Sequence, residues 1–240
     1  MTIESVQYDL QDQVATIRID DGKRNALSPQ VLHELNQALD RAESDRAIVI
    51  LTGRESVFSA GFDLKVMQRG GFDALRMLRA GYALTARILA YPYPVIAACN
   101  GHSMAMGVFV MLSADYVIGS RGDFKIAANE VAIGMTMPRV AAAMLRNRLE
   151  PSAFQRAVTL SEYFDVESAL HAGFFDELVE SVDLIPRADS RAAEFKKLDR
   201  LAHTASKRRI RAALIRKIRF SIPLDVLDAA LVGLRRARSR

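Results

Sequence analysis

The chain has 240 residues, 50% hydrophobic and 25% charged, with a net charge of +5, one cysteine and four histidines. This balance suits a globular chain with one substantial core and excludes a disordered or membrane-embedded one; the longest apolar stretch, Met104 to Leu112, is too short to cross a bilayer. The lone Cys99 excludes an intramolecular disulfide and argues against a cysteine-based metal site.

The start MTIESVQYDL has neither a basic nor an apolar leader region, so a cytoplasmic location is the expectation. VQYDLQDQVATIRID alternates around a polar Gln-Asp-Gln and predicts a β-hairpin. Turn residues gather in DDGKRNALSP, with Ser28 placed to cap a helix and Pro29 at its first position. Val31, Leu32, Leu35, Ala38, Leu39 and Ala42 then recur on one helical face. AIVILTG, VIAAC and ADYVIGS each predict a buried strand, and a helical pattern from about Phe72 to Ala90 separates the first two. Cys99 within VIAAC reads as a small buried hydrophobe. Strands alternating with helices imply crossover connections, hence an α/β class. After Pro138 the pattern is wholly helical, with caps expected at Ser152 and Asp165. No internal repeat or linker is visible.

Charge is unevenly spread: residues 196–240 hold 14 of the 33 Lys and Arg but 3 of the 28 Asp and Glu, so this segment carries +11 and the remainder −6. Ile210, Leu214 and Ile218 at spacing four, flanked by Arg208, Arg209, Arg211, Arg216, Lys217 and Arg219, predict a basic amphipathic helix. Its readings are a solvated face, a site for anionic ligand phosphates, or an acidic partner. Apart from Phe220 no aromatic residue interleaves with these charges, which speaks against nucleic acid.

Neither a phosphate-binding P-loop nor a dinucleotide fingerprint occurs, and His33, His102, His171 and His203 lack metal-ligand spacing. Gly101-His102-Ser103-Met104-Ala105 follows a strand and precedes a helical run, the context of a hydrolase nucleophile elbow, but the motif's final Gly is missing. A stronger constellation joins FSAGFDL (Phe58 to Leu64), NGHSMAMGVFVMLSAD (Asn100 to Asp115) and NEVAIGMTMP (Asn129 to Pro138), with DDGKRNALS as a fourth element.

In order and separation these pieces resemble the enoyl-CoA hydratase/isomerase, or crotonase, superfamily over almost the whole chain. The resemblance implies an α/β fold with a crotonase-like ββα spiral core over 1–195 and a basic helical segment over 196–240, packed on the core or on a neighbouring subunit. It also implies an acyl-CoA thioester as substrate, no cofactor or metal, and a homotrimer or a dimer of trimers. The thioester oxygen is expected between the backbone N–H groups of Phe62 and Met106. Such preorganised donors are worth on the order of 3 kcal/mol of barrier each. CoA contacts are expected from Lys23, Arg24 and Ala26, and from backbone at Ala60, Asp63 and Leu64, with Gly107 and Phe109 beside the acyl group. Asp115 is expected to be structural.

The pattern departs from hydratases at Met106-Gly107-Val108-Phe109, where Phe109 stands in place of a glutamate that helps activate water. Glu130 matches the family's other catalytic glutamate, although one extra residue is needed in the turn around Arg121 to Asp123. By its local sequence alone Glu130 is a surface carboxylate near a helix; the apolar Val131, Ala132 and Ile133 beside it are expected to raise its pKa. One carboxylate with an oxyanion hole is what the family's Δ3,Δ2-enoyl-CoA isomerases use, so an isomerase is expected before a hydratase. A catalytically inactive acyl-CoA-binding or assembly protein of the same fold is the further alternative.

Overall fold

The structure, a computed structural model, describes residues 4–238. Strands β1 (Val6–Gln11) and β2 (Val14–Ile19) pair antiparallel from Val6↔Ile19 to Gln11↔Val14, as the alternation predicts. The turn residues Asp12 and Gln13 take φ of 48° and 61°, the left-handed pair that matches a two-residue hairpin to the twist of its strands. After β3 (Ala26–Leu27) comes α1 (Pro29–Ser44), in which the Ser28 hydroxyl accepts the Val31 amide at 3.2 Å. The face it buries is the predicted one, from Val31 to Ala42.

The middle of the chain runs β4 (Ile48–Thr52), β5 (Ser56–Ser59), β6 (Gly61–Phe62), α2 (Leu64–Arg69), α3 (Gly71–Ala90), β7 (Val95–Cys99), β8 (Gly101–Met104), α4 (Met106–Leu112), β9 (Tyr116–Ser120) and β10 (Ile126–Ala127). A 3-10 turn at Val131–Ile133 precedes α5 (Arg139–Arg148), α6 (Pro151–Leu160), α7 (Val166–Ala172) and β11 (Glu177–Val179). A second 3-10 turn at Ser181–Asp183 leads into α8 (Leu184–Phe195) and α9 (Arg200–Arg238).

Three times the chain contributes one strand to a six-stranded sheet of order β1-β2-β4-β7-β9-β11, one to a smaller sheet of order β10-β8-β5, and then turns into a helix. That spiral is a structural repeat without a matching sequence repeat. Its corners are too tight for side chains: a Cβ on Gly101 would lie 1.9 Å from the Ser56 carbonyl carbon, and one on Gly53 2.2 Å from the Val57 oxygen. Asn100 links the two corners, its side-chain oxygen accepting the Gly53 amide at 3.0 Å and its amide nitrogen donating to the Arg54 carbonyl.

Every residue of β4 and β7 is buried, because helices cover both faces of the large sheet. Val49, Leu51, Ala97 and Val117 face the main core, whereas Ile48, Ile50, Ile96, Ala98 and Ile118 face α8 through Leu184, Ala188 and Ala192. Cys99 is buried in the main core, and burial pushes its thiol up to about 12, consistent with an inert small hydrophobe.

Four expectations need correction. The chain beyond Pro138 is not wholly helical: β11 pairs parallel with β9 from Glu177↔Ile118 to Val179↔Ser120, and three residues are too few to show a strand period. Ser152 caps nothing, since α6 already starts at Pro151; Asp165 does cap α7, accepting the Ser168 amide at 2.8 Å. Gly101–Met104, read as a turn into a helix, is strand β8. The inward line of α9 runs through the buried Lys207, Ile215 and Ile218, with Arg211 and Leu214 half-buried beside them, and Ile210 is 77% exposed. A strict spacing of four drifts around a helix of 3.6 residues per turn, so Ile210 and Ile218 cannot share the centre of one face. α9 lies along α3 and α5, with Ile215 and Ile218 in the main core. Among the described residues no helix is long and apolar enough to cross a membrane, and no group of three or more His, Cys, Asp or Glu is placed to hold a metal ion.

Candidate active site

The bare backbone of Ser59-Ala60-Gly61 is explained by what passes beside it. Gly61 has φ of 85°, and a Cβ there would lie 3.0 Å from the Ala105 Cβ and the Met104 oxygen and 3.1 Å from the Met106 nitrogen. Strand β6 therefore runs directly against the amino end of α4, with no space for a side chain and a φ that favours glycine. Gly107 is constrained from the other side, since its Cβ would come within 2.6 Å of the Ser59 oxygen.

Two residues brace this crossing, and the sequence reading assigned neither a bracing role. Asn25, fully buried with φ of 52°, donates its side-chain amide to the carbonyls of Ile19 (2.8 Å), Val57 (3.0 Å) and Phe58 (3.2 Å) and accepts the Asp21 amide at 3.1 Å. The Ser59 hydroxyl donates to the Asn25 carbonyl at 2.7 Å and accepts the Gly61 amide at 3.1 Å. Asn25 sits in a turn cluster where its tolerance of positive φ is a legible signal. Ser59 gives none, because the carbonyl its hydroxyl meets lies 34 residues away at Asn25.

Met106 opens α4, where the amides of Val108 (3.0 Å) and Phe109 (3.4 Å) both turn back to the Ala105 carbonyl. The Met106 amide belongs to the first turn, whose N–H groups have no carbonyl within the helix to meet. Ala105, just before it, takes φ 47° and ψ −123°, a costly conformation for a residue with a Cβ and one found mostly at functional sites. Above this corner the Phe62 ring stands edge-on to Tyr82 at 5.8 Å and sits so close over Gly81 that a Cβ there would be 2.4 Å from it. The Met106 methyl reaches the same spot, 3.4 Å from the Cβ position of Gly81. Phe109 is packed in the core at 1% exposure and offers no carboxyl.

Glu130 is 5% exposed and its Oε2 has no hydrogen-bond partner among the described residues. Burial pushes its carboxyl up to about 7, partly offset by its own backbone amide. The rise was expected but not its cause: Val131 and Ile133 are themselves 42% and 48% exposed, so the segment beside Glu130 does not enclose it. Nor is Glu130 the surface carboxylate its local sequence suggests. Burial, and then the negative charges of Asp225 and Glu130, push the buried Tyr82 phenol up. Tyr82 thus touches the Phe62 ring and carries the influence of the Glu130 charge.

Lys23 and Arg24 are exposed on the turn before β3; the Arg24 carbonyl accepts the Ala60 amide at 3.0 Å, and Ala26 pairs with Gly61 in the β3–β6 ladder. The Asp63 side chain caps α2, accepting the amides of Lys65 (2.8 Å) and Val66 (3.4 Å). Leu64 is 61% exposed. An open depression of about 510 Å³ lies here, lined by Asp63, Lys65, Gln68 and Arg69. Lys65 and Arg69 were not singled out by sequence, although their spacing of four after AGFDL puts both cations on one helix face.

Among the described residues the hydroxyl of Ser103, wholly buried in β8, has no hydrogen-bond partner, His102 accepts the Lys125 amide at 2.9 Å, and His171 and His203 belong to α7 and α9. Among the described residues no nucleophile elbow is assembled. Asp115 accepts the Val95 amide at 2.7 Å and pairs with Lys207 (2.6 Å) and Arg211 (3.0 Å) of α9, a structural tether.

The family model for enoyl-CoA hydratase/isomerase matches residues 9–222. A probable enoyl-CoA hydratase, echA17, of Mycobacterium avium is 34% identical over 194 residues, 76% of this chain and 72% of the relative. The structure of an enoyl-CoA hydratase/isomerase family protein from Pseudomonas syringae superposes with a TM-score of 0.91 at 44% identity, covering 93% of this chain and 97% of that one. An apo enoyl-CoA isomerase of Mycobacterium tuberculosis superposes with a TM-score of 0.88 at 42% identity, covering 92% and 96%. The expected crotonase-like α/β spiral is the observed fold, and the chain belongs to the enoyl-CoA hydratase/isomerase family.

Proposed function

We propose that the protein is an enoyl-CoA isomerase acting on 3-enoyl thioesters of coenzyme A, with Glu130 as its single acid/base group. One observation supports this reading: Glu130 is buried, its Oε2 has no hydrogen-bond partner among the described residues, and at the position where a second carboxylate would help to activate water there is Phe109. The Glu130 carboxylate takes a proton from C2, and the released electron pair spreads over C2, C3, C4 and the thioester carbonyl. The oxygen of that dienolate receives the N–H groups of Phe62 and Met106, with the first turn of α4 adding a favourable dipole. The protonated Glu130 returns the proton to C4, leaving the double bond between C2 and C3 and the carboxylate restored. With a carboxyl near pH 7 the group is poised for both halves of the cycle. No cofactor enters the balance.

In the same reading the CoA phosphates lie near the exposed cations Lys23, Arg24, Lys65 and Arg69. Packing of α9 on a neighbouring subunit, in a trimer or a dimer of trimers, is supported by its outward Phe220, Leu224, Leu227 and Leu231, exposed at 45% to 75%. The competing reading is a hydratase, favoured by the name of the M. avium relative. Incubating the purified protein with a 3-enoyl-CoA and, separately, a 2-enoyl-CoA decides between them. The expected result is a double-bond shift in the first; rapid hydration of the second without any shift in the first would overturn the isomerase.

A further inference from the structure

α9 reaches the start of α5 through one carboxylate. Asp225, its side chain 4% exposed, accepts the Arg139 amide on Oδ1 at 3.0 Å and the Val140 amide on Oδ2 at 2.9 Å, and the Arg139 guanidinium also meets Oδ1 at 3.0 Å. Those are the first two amides of α5, and the residue in the cap position of α5 is Pro138, which has no side-chain acceptor. A helix start is ordinarily satisfied by the residue just before it; here the acceptor comes from a helix 86 residues further on. The carboxylate is also the charge that the dipole of α5 favours at this end.

The capped end matters because of what precedes it. Residues 131–138 join Glu130 to α5, and much of this stretch is exposed. It is pinned at one side where the Ala132 amide meets the Ser161 hydroxyl at 3.0 Å, and at the other where Asp225 holds Arg139 and Val140. The charges of Asp225 and Glu130 both push the buried Tyr82 phenol up.

Resting on the reading of Glu130 as the base, we propose that Asp225 is a positioning residue: by capping α5 from α9 it fixes the far end of the 131–138 segment and thereby holds Glu130 toward the Phe62–Met106 corner. A misplacement of about 1 Å in such a geometry costs up to roughly 100-fold in rate. The docking of α9 and the order of the catalytic carboxylate are then one equilibrium.

The test compares D225A and D225N with wild type in steady-state kinetics on a 3-enoyl-CoA and in amide hydrogen exchange across 131–140. D225A is expected to lower kcat by about tenfold, or about 1.4 kcal/mol of barrier, with KM changed less than about threefold. D225N retains one oxygen acceptor and should lower kcat by about threefold. Exchange across 131–140 should accelerate in the same order. Wild-type exchange or wild-type kcat in either variant would overturn the proposal, as would a loss expressed in KM alone. The milder D225N serves if D225A does not fold. Exchange needs no turnover and so reads the tether by itself, whereas wild-type turnover in E130Q would sink the isomerase reading and leave the tether standing.

Discussion

Glu130→Gln separates what the buried carboxylate does for catalysis from what it costs the fold. In the folded chain its pKa is raised from 4.5 to about 7 by burial. The folded state therefore holds the proton more tightly than the unfolded state, and stability that is complete below pH 4.5 is lost as the pH rises through 7. Each tenfold displacement of a protonation equilibrium is worth about 1.4 kcal/mol, so the full loss above pH 8 is about 3 kcal/mol. Glutamine has nearly the shape of the protonated acid and does not titrate. E130Q should thus match wild type in urea unfolding near pH 4.5 and exceed it by about 3 kcal/mol at pH 8, or by about 6–12 °C in Tm for a chain of this length. Turnover of a 3-enoyl-CoA should be abolished in the same variant. A stability difference that does not change between the two pH values would refute the argument, because burial of charge is its only source.

Gly61→Ala places a Cβ 3.0 Å from the Ala105 Cβ and the Met104 oxygen at a φ of 85°, so it should spread β6 from α4 and lower kcat/KM by about 100-fold; steady-state kinetics near wild type would show that the corner is not the site. Asp115→Ala strands Lys207 and Arg211, 5% and 16% exposed, without their anion, and should cost about 3–5 kcal/mol in denaturant unfolding. A loss under about 1 kcal/mol would mean the tether is dispensable. Replacing Lys65 and Arg69 together by alanine should raise KM for a CoA thioester by about tenfold and leave a pantetheine thioester unaffected; equal effects on both would place the phosphates elsewhere.

Local physics was enough for the elements that carry their own signal. The hairpin with its polar turn, the Ser28-Pro29 start of α1, the buried strands and the α3 pattern are contained in nearest-neighbour chemistry, as is the N-cap at Asp165. The four ordered motifs were enough to place the chain in its family, and to single out Gly61, Phe62 and Met106 as the residues of the corner.

Other features exist only because distant segments meet. β11 is three residues whose strand character comes from the waiting edge of β9. The spiral repeats in backbone geometry while its side chains differ at each turn, so comparing the chain with itself shows nothing. Glu130 is buried not by the apolar residues next to it but by the fold around it, and Asp225 caps a helix from 86 residues away. In this protein the sequence alone determined which atoms are available for chemistry, through residue type and local backbone preference. How deeply they are buried, what they face and what holds them still were decided by the tertiary structure, since burial, field and tether depend on neighbours in space that are remote in the chain.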